Sequence, residues 1–275
     1  MQTTEHKTMN TCLIKISGKA ISSFANQQIL KMQLQNLYEK YDGIIIVHGA
    51  GKEITEWSNA FGIESKFIDG QRVTTEEQMR VVAAVQAGVI NSELCAKINA
   101  AGFAASGHSG LDRNTFVVEQ LFPKLGFVGK PTLTGSTAWI SNSLKENVIP
   151  VFSSVCRDKG GNLVNVNADI FAEQLAMHLK VSTVIFLSDV EGVIINGNIE
   201  KEITSEDIIN GIKLGDITDG MIPKLMSCSS LLENGIEKIW IGSALNSLFN
   251  NKNNGINGTW IRNSNERDNK LKKTA

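Results

Sequence analysis

The stretch that decides the fold is Ile44-Ile45-Ile46-Val47-His48-Gly49-Ala50-Gly51-Lys52-Glu53. It begins with four consecutive β-branched apolar residues, passes through a turn of small residues and ends where a helix can start. An uninterrupted apolar run is typical of a strand that is covered on both faces, as in a parallel sheet. The glycine-rich turn places backbone N–H groups at a helix N-terminus, which favours an anion. The stretch therefore predicts a strand–turn–helix unit with an anion site.

The same alternation recurs along the chain, with short apolar runs that predict strands and longer amphipathic runs that predict helices. It predicts an α/β fold built on a mainly parallel open sheet. The predicted strands are Cys12–Ile16, Gly43–Val47, Val148–Phe152, Thr183–Leu187 and Lys238–Ile241; the predicted helices are Phe24–Tyr38, Thr74–Ala101, Asn167–Lys180 and Met221–Asn234; Ser109–Gly129 is predicted as a hairpin excursion.

Composition excludes several classes of partner. The chain has 275 residues, of which 42% are hydrophobic and 20% charged, and its net charge is −1. Such a balance gives no global field for nucleic acid. No apolar run approaches the ~20 residues of a membrane span, and no signal peptide is visible, so we expect a cytoplasmic protein without a membrane or nucleic-acid partner. The four cysteines form no CxxC pair, which indicates reduced, buried thiols.

Three standard sets of catalytic motifs are absent from the sequence. The Gly-Lys pairs at 18–19, 51–52 and 129–130 are not followed by Ser or Thr, so there is no P-loop. No strand is followed by GxGxxG, which argues against a dinucleotide dehydrogenase. Neither a GxSxG elbow nor an HExxH zinc motif occurs, which argues against a hydrolase.

Four polar residues fall at or near the ends of predicted strands, namely Lys15, His48, Asn165 and Asp189. Ligands of open α/β sheets bind beyond the carboxyl ends of the strands. Lys15 either directs its ammonium group at a phosphate or is an edge lysine before an ordinary turn. His48 is interpreted either as a general base or, preferably, as a buried and hydrogen-bonded histidine.

Other candidates also have two interpretations. Arg72 can clamp a substrate carboxylate or be a surface arginine. Asn165 or Asn167 can cap the following helix, with Asp169 complementing the helix dipole, or these residues can serve a ligand. Lys224 lies near a predicted helix start, where a cation opposes the dipole and needs an anionic partner or solvent.

Seven motifs in this order resemble the acetylglutamate kinase branch of the amino acid kinase superfamily, over about residues 12–261. They are Lys15-x-Ser17-Gly18, His48-Gly49-Ala50-Gly51, Gly70-Gln71-Arg72-Val73-Thr74, Asn165-Val166-Asn167-Ala168-Asp169, Leu187-Ser188-Asp189-Val190-Glu191-Gly192-Val193, Asp219-Gly220-Met221-Ile222-Pro223-Lys224 and Gly258-Thr259-Trp260-Ile261.

The resemblance implies a three-layer sandwich with two lobes. Residues 12–164 would form an N-terminal lobe for the acyl amino acid and for dimerisation, and residues 165–261 a C-terminal lobe for ATP. Residues 1–11 and 262–275 would be flexible ends. The implied catalytic residues are Lys15, Asp169 and Lys224; the implied substrate-binding residues are Ala50, Gly51, Arg72 and Asn165; the implied ATP-binding residues are Gly18, Gly49, Ser188, Asp189, Gly192 and Thr218.

The implied reaction is ATP-dependent phosphorylation of the side-chain carboxylate of N-acetyl-L-glutamate in arginine biosynthesis. Mg²⁺ would travel mainly on the ATP phosphates, with no metal ligand from the protein. The alternatives are the same reaction on N-succinyl-L-glutamate or on an acyl-aminoadipate, and a catalytically silent relative that binds ATP or an amino acid. A homodimer is expected, with its contact on Thr74–Ala101.

Two positions depart from the family pattern. Ser17 precedes Gly18 where the family usually has two glycines, and Ala50 interrupts three glycines. Ala50 keeps its N–H group but adds a methyl group and disfavours positive φ. We therefore expect an altered pocket, with a changed acyl group or reduced or lost activity as its consequence. The core residues of the family pattern are all present, which favours an active enzyme.

Overall fold

The computed structural model describes residues 9–120, 123–217, 221–243, 245 and 258–264. Its strands, in chain order, are β1 (Thr11–Ile16), β2 (Gly43–His48), β3 (Phe67–Ile68), β4 (Gln71–Arg72), β5 (Ala104–Ser109), β6 (Phe116–Gln120), β7 (Gly129–Leu133), β8 (Val148–Ser153), β9 (Val155–Arg157), β10 (Leu163–Asn165), β11 (Thr183–Leu187), β12 (Ile194–Ile195), β13 (Asn198–Ile199), β14 (Glu202–Thr204), β15 (Lys238–Gly242) and β16 (Gly258–Arg262).

An eight-stranded sheet in the order β14-β16-β15-β11-β1-β2-β8-β5 forms the centre of the molecule. All neighbouring strands run parallel except β15 and β16. Ile16 at the end of β1 is in register with His48 of β2 and Leu187 of β11. The carboxyl ends of the three central strands therefore meet at one edge, where ligands of open sheets bind.

Helices cover both faces of this sheet. They are α1 (Ile21–Phe24), α2 (Gln27–Tyr38), α3 (Gly51–Ala60), α4 (Glu76–Val82), a π-helical segment (Ala83–Ile90), α5 (Asn91–Ala100), α6 (Ala138–Lys145), α7 (Ala168–Leu179), α8 (Ser205–Leu214) and α9 (Met221–Glu233), with short 3₁₀ helices at Gly18–Ala20, Asp112–Asn114 and Pro123–Leu125.

Alternate residues of the central strands belong to two separate hydrophobic clusters. Ile14 packs with Leu34 of α2 in one cluster, whereas Leu13 packs with Leu175 of α7 and Leu231 of α9 in the other. Because successive side chains of a strand point to opposite faces, each face of the sheet has its own helical layer. The predicted α/β three-layer sandwich with a mainly parallel sheet is confirmed.

Two elements differ from the prediction. The helix predicted over Phe24–Tyr38 begins at Gln27 as α2, because the chain turns at Asn26, whose carbonyl accepts the first hydrogen bonds of α2. Asparagine favours such cap positions over helix interiors. Strand β5 was not predicted because Ala104–Ser109 is small and polar and lies at the sheet edge. The predicted hairpin excursion is present as the antiparallel pair β6 and β7.

The long helix predicted over Thr74–Ala101 runs continuously from Glu76 to Ala100. Thr75 caps it by accepting a hydrogen bond from the backbone of Gln78, and Gly102 ends it at φ +93°. Within the described residues this is the one helix long and apolar enough to span a membrane by length and composition. A core helix passes the same test, and Val82 and Leu94 of this helix are fully buried against the sheet.

The predicted division into two lobes remains a prediction. The four strands from residues 12–164 form one half of the sheet, and the four strands from residues 165–261 form the other half. The sheet is continuous across the boundary through the β1–β11 pair. Of the ends predicted to be flexible, residues 1–8 and 265–275 lie outside the described part of the chain.

Candidate active site

A cavity of about 240 Å³ opens at the carboxyl edge of the sheet. It lies where β1, β2 and β10 end and where α3 and α7 begin. Eight of the predicted site residues line it: Lys15, Gly18, Gly49, Ala50, Gly51, Arg72, Asn165 and Asp169. The structure thus brings together the predicted substrate-binding residues and two of the three predicted catalytic residues.

An ion pair between a buried lysine and a half-exposed aspartate lies in the lining of this cavity. Lys15 Nζ is 2.7 Å from Asp169 Oδ1, and the lysine side chain is 9% exposed. Asn167 caps α7 by accepting a hydrogen bond from the backbone N–H of Asp169. Asn167 can therefore cap the helix while Asp169 serves a ligand, because the cap holds the Asp169 carboxylate beside Lys15.

The third predicted catalytic residue, Lys224 of α9, adjoins this pair without lining the cavity. Burial lowers its pKa, while the carboxylate of Asp169 raises it and the charge of Lys15 lowers it. Its Nζ donates a hydrogen bond of 3.4 Å to Ser188 Oγ at the end of β11. The Asp169 carboxylate therefore pairs with Lys15 and also acts on Lys224, where Asp189 makes a smaller contribution, and the two neighbouring positive charges favour an anionic ligand.

Two turns approach each other closely above the ion pair. A Cβ atom at Gly18 would lie 3.1 Å from the backbone nitrogen of Gly51, and one at Gly49 would lie 3.5 Å from the nitrogen of Gly18. Ala50 precedes α3 and provides no side-chain cap. The first N–H groups of a helix have no intrahelical partner, so the start of α3 presents donors beside the cavity.

The two departures from the family pattern have different consequences. Ala50 has φ −156° and is 2% exposed, so its methyl group is accommodated without positive φ. Ser17 lines the cavity, and its buried Oγ has no hydrogen-bond partner among the described residues. A free hydroxyl group in a charged cavity is a further donor for a ligand.

Arg72 is fixed in the lining of the cavity and is not a surface arginine. It is 8% exposed, and its guanidinium donates to Ser65 Oγ, to the carbonyl of Gly51 and to Thr55 Oγ1. It also lies 4.7 Å from the centre of the Phe67 ring. Burial lowers its pKa, so an anionic ligand would compensate its desolvated charge. Three of its five N–H groups are occupied in these contacts.

Asn165 lies opposite Arg72 at the end of β10. Its Nδ2 donates to Thr74 Oγ1, and its backbone N–H donates to the carbonyl of Phe127. These bonds tie the amide to the start of the long helix. One side-chain N–H and the amide oxygen are then free to meet a ligand.

His48 is a structural residue and not a general base. It is fully buried, and burial lowers its pKa to about 4. Nε2 accepts from the amide of Asn91, so the neutral ring carries its proton on Nδ1, which donates to the carbonyl of Gly49. Asn91 also donates to the carbonyl of Val151, which fixes the orientation of its amide. The preferred sequence interpretation of His48 agrees with this geometry.

The remaining predicted ATP-binding residues lie outside the first cavity. Asp189 forms an exposed ion pair of 2.6 Å with Lys19, and the hydrogen bond from Lys19 lowers its pKa. Gly192 lines a second cavity of about 370 Å³, mainly apolar, between the β12–β13 hairpin and the start of α9. At Gly192, where φ is +151°, a Cβ atom would lie 2.7 Å from Ile199 Cγ2. Thr218 lies outside the described residues.

Sequence reasoning missed two polar residues that also line the cavity, Gln86 and Ser154. Gln86 interrupts a long apolar run on the helix. A single polar residue in such a run could have indicated a functional position from the sequence alone. Among the described residues no three His, Cys, Asp or Glu side chains are grouped as for a metal. The four cysteines are free thiols.

Comparison with known proteins identifies the fold and the family. Residues 10–243 match the profile of the Amino acid kinase family. The chain belongs to the amino acid kinase family. It is 32% identical over 254 residues to the acetylglutamate kinase of Geobacillus sp. (strain WCH70), a match that covers 92% of this chain and 97% of that protein. The resemblance and the expectation of a phosphotransferase are thereby confirmed.

Solved structures of other proteins have the same fold. The protein smu.665 from Streptococcus mutans UA159 superposes with a TM-score of 0.74 at 28% identity, covering 92% of this chain and 98% of that one. The carbamate kinase of Giardia superposes with a TM-score of 0.63 at 15% identity, covering 94% of this chain and 100% of that one. The second comparison bears on the fold alone, because its sequence identity is low.

Proposed function

We propose that this amino acid kinase transfers the γ-phosphoryl group of MgATP to the side-chain carboxylate of N-acetyl-L-glutamate, giving an acyl phosphate and ADP. The observation that carries the proposal is one cavity lined by cationic groups from two separate parts of the chain: the Lys15–Asp169 pair and Arg72. A substrate with two carboxylates matches this arrangement. The name of the relative, acetylglutamate kinase, supports the same substrate.

In the proposed mechanism, Arg72 and Asn165 hold the α-carboxylate, and the N–H groups near Gly18 and Gly51 receive the reacting carboxylate and the phosphoryl group. A carboxylate oxygen forms the new bond to phosphorus while the bond to the β-phosphate oxygen breaks, so ADP leaves. The acceptor is already ionised, which means that no general base is needed. Positioning and charge compensation carry such a reaction.

Lys15 and Lys224 would compensate the charge that spreads over the transferring group, with Lys15 on the acceptor side and Lys224 on the nucleotide side. Asp169 would hold both ammonium groups in place. The structural support is the shared electrostatic environment of these three residues. Preorganised charges in a water-poor site are worth far more than the same charges in bulk water.

The nucleotide would occupy the C-terminal half of the sheet edge. Gly18, Gly49, Ser188 and Asp189 would lie along the phosphates, and the apolar cavity beside Gly192 suits an adenine ring, with Thr218 as the last predicted contact. Mg²⁺ would arrive as part of the MgATP substrate. The two carboxylates nearest the lysines, those of Asp169 and Asp189, are already paired.

The proposed setting is arginine biosynthesis in the cytoplasm, with a homodimer as the working unit and residues 12–164 and 165–261 as acyl-amino-acid and ATP lobes. The long helix supports dimerisation, because only 44% of its most apolar window is buried within one chain. Light scattering on the purified chain tests this point. A monomeric mass at micromolar concentration would contradict it.

Acyl-phosphate formation tests the function directly. The chain is incubated with MgATP and, separately, N-acetyl-L-glutamate, N-succinyl-L-glutamate, an acyl-aminoadipate or free glutamate, and the product is trapped with hydroxylamine. We expect the highest kcat/KM for N-acetyl-L-glutamate. A higher value for another acylated substrate would replace the acyl group in the proposal. If no acyl phosphate forms with any of these substrates while ATP still binds, a catalytically silent relative is favoured.

A further inference from the structure

Gln86 is a buried polar residue that lines the substrate cavity and has an unused acceptor atom. Its side chain is 3% exposed and lies in the π-helical segment Ala83–Ile90. Its Oε1 is shielded from water and has no hydrogen-bond partner among the described residues. An unsatisfied buried amide oxygen is costly, so its persistence calls for an explanation, and π-helical segments are frequent at functional sites.

The orientation of this amide is fixed by its other contacts. Gln86 Nε2 donates to the carbonyl of His48 at 3.2 Å and to Ser154 Oγ at 3.0 Å. Ser154 Oγ in turn donates its hydrogen to the carbonyl of Val166 at 2.6 Å, so it can only accept from Gln86. A flipped amide would set Oε1 against the carbonyl of His48. Both N–H groups of Gln86 are therefore occupied, and the oxygen is left for the cavity.

Gln86 is connected to segments that lead towards both cationic groups of the cavity. His48 leads into the Gly49–Gly51 turn at the phosphoryl end, and Val166 adjoins Asn165 at the end that faces Arg72. The hydrogen bonds to His48 and to Ser154 connect the Gln86 amide to both segments. Because Gln86 lines the same cavity as Lys15 and Arg72, a ligand that fills this cavity meets its side chain.

The chemistry of the proposed substrate singles out one group. In ionised N-acylglutamate, both carboxylates and the acyl carbonyl only accept hydrogen bonds, and the amide N–H is the one donor. An acceptor in the cavity can therefore be satisfied only by that N–H. We propose that Gln86 Oε1 accepts the hydrogen bond of the acylamino N–H and makes the enzyme select an N-acylated substrate, an inference that rests on the proposed function.

An ester analogue isolates this bond. In 2-acetoxyglutarate an oxygen atom replaces the N–H, so the donor is lost while both carboxylates and the acetyl group remain. Calorimetry measures the Kd of N-acetyl-L-glutamate and of the ester for the wild type and for Gln86→Met. We expect the wild type to bind the amide at least about tenfold more tightly than the ester, and Gln86→Met to bring the ratio close to one.

Two further variants separate selection from a structural role. Ser154→Ala removes one of the two acceptors that orient Gln86, so we expect a smaller fall in the same ratio. Gln33→Met makes the same change at a buried glutamine of α2 outside the cavity and should keep the wild-type ratio. Circular dichroism checks that each variant is folded. Should Gln86→Met fail to fold, Gln86→Leu and Ser154→Ala provide the test.

The outcomes distinguish a failure of the inference about Gln86 from a failure of the proposed function. If Gln86→Met keeps the wild-type preference for the amide, the inference is overturned while the proposed function stands, and Asn165 Oδ1 becomes the acceptor. If Gln86→Met weakens both ligands equally, Gln86 is structural and the inference is again overturned. If the wild type binds neither ligand, the proposed function fails and the inference falls with it.

Discussion

Two lysine–aspartate pairs of this enzyme have almost the same length and opposite surroundings. Lys15 lies 2.7 Å from Asp169 and Lys19 lies 2.6 Å from Asp189. The two lysines account for the difference, with side chains 9% exposed in the first pair and 72% exposed in the second, whereas the aspartates are 42% and 51% exposed. Water screens the exposed pair, whereas the buried one keeps its field inside the cavity. The difference teaches that burial, and not distance, decides which pair can act on a ligand.

The largest expected effect comes from removing the buried lysine. Lys15→Met keeps the length and apolar stem of the side chain but removes its charge, so the transferring group loses a preorganised cation. We expect kcat to fall by about a hundredfold to a thousandfold in the hydroxylamine assay. Lys19→Met is the matched control and should lower kcat by less than about tenfold. Equal losses in the two variants would remove the basis of the comparison.

His48 extends the comparison to a buried group without a counter-charge. Its pKa is about 4 in the fold against an ordinary value near 6.5, so the unfolded chain binds more protons between these values. Stability therefore rises with pH through this window and is lost as pH falls from about 6.5 towards 4. We expect a cost of about 3 kcal/mol by pH 4 from this residue.

Urea unfolding at several pH values measures that cost. His48→Gln should give a flatter dependence of the free energy of unfolding on pH than the wild type. His178→Gln, at an exposed position of α7, should keep the wild-type slope. An unchanged slope in His48→Gln would show that acid destabilisation has another origin.

The carboxylates of the two ion pairs, Asp169 and Asp189, should also contribute differently to stability, but by a smaller amount than His48. Asp169→Asn leaves the ammonium group of Lys15 buried beside Lys224 without its anion, which should lower the free energy of unfolding by about 1–2 kcal/mol, after allowance for the partial exposure of Asp169. Asp189→Asn breaks the exposed pair and should leave the urea midpoint unchanged. A larger loss in Asp189→Asn than in Asp169→Asn would contradict the assignment by burial.

Sequence alone predicted the elements whose apolar runs are uninterrupted. Thr183–Leu187 is a strand with the predicted bounds, and the strands that supply Lys15 and His48 differ from the prediction by one residue at an end. Strand β5 was not predicted because Ala104–Ser109 forms a strand through its pairing with β8 and not through the propensity of its own residues.

The site was predictable in its residues but not in its contacts. Motif order placed Lys15 and Asp169 in one site, yet it gave neither their separation nor the burial that makes the pair important. Ala50 was expected to alter the pocket and to disfavour positive φ, whereas its φ is −156°, a fact that depends on how α3 begins. Gln86 was missed because its role depends on two hydrogen-bond partners that are remote in sequence.

The smallest expected effect concerns Lys224, which lies between the two extremes of exposure. Burial lowers its pKa, and the ammonium form is the one that compensates phosphate charge, so kcat/KM for MgATP should fall on the alkaline side at a lower pH than for an ordinary lysine. Lys224→Arg keeps the charge to much higher pH, because a guanidinium group is not deprotonated in this range. We expect its alkaline limb to move upwards in pH.

The rate of Lys224→Arg near neutral pH should fall at the same time, because the guanidinium group is larger and planar and fits the ammonium site poorly. Lys19→Arg is the matched change at the exposed pair and should leave the limb in place. The profile of kcat should also turn down at higher pH than that of kcat/KM, since bound phosphates favour the charged lysine. If the limb of Lys224→Arg coincides with that of the wild type, another group carries the titration, and the charge of Lys224 is not what the nucleotide requires.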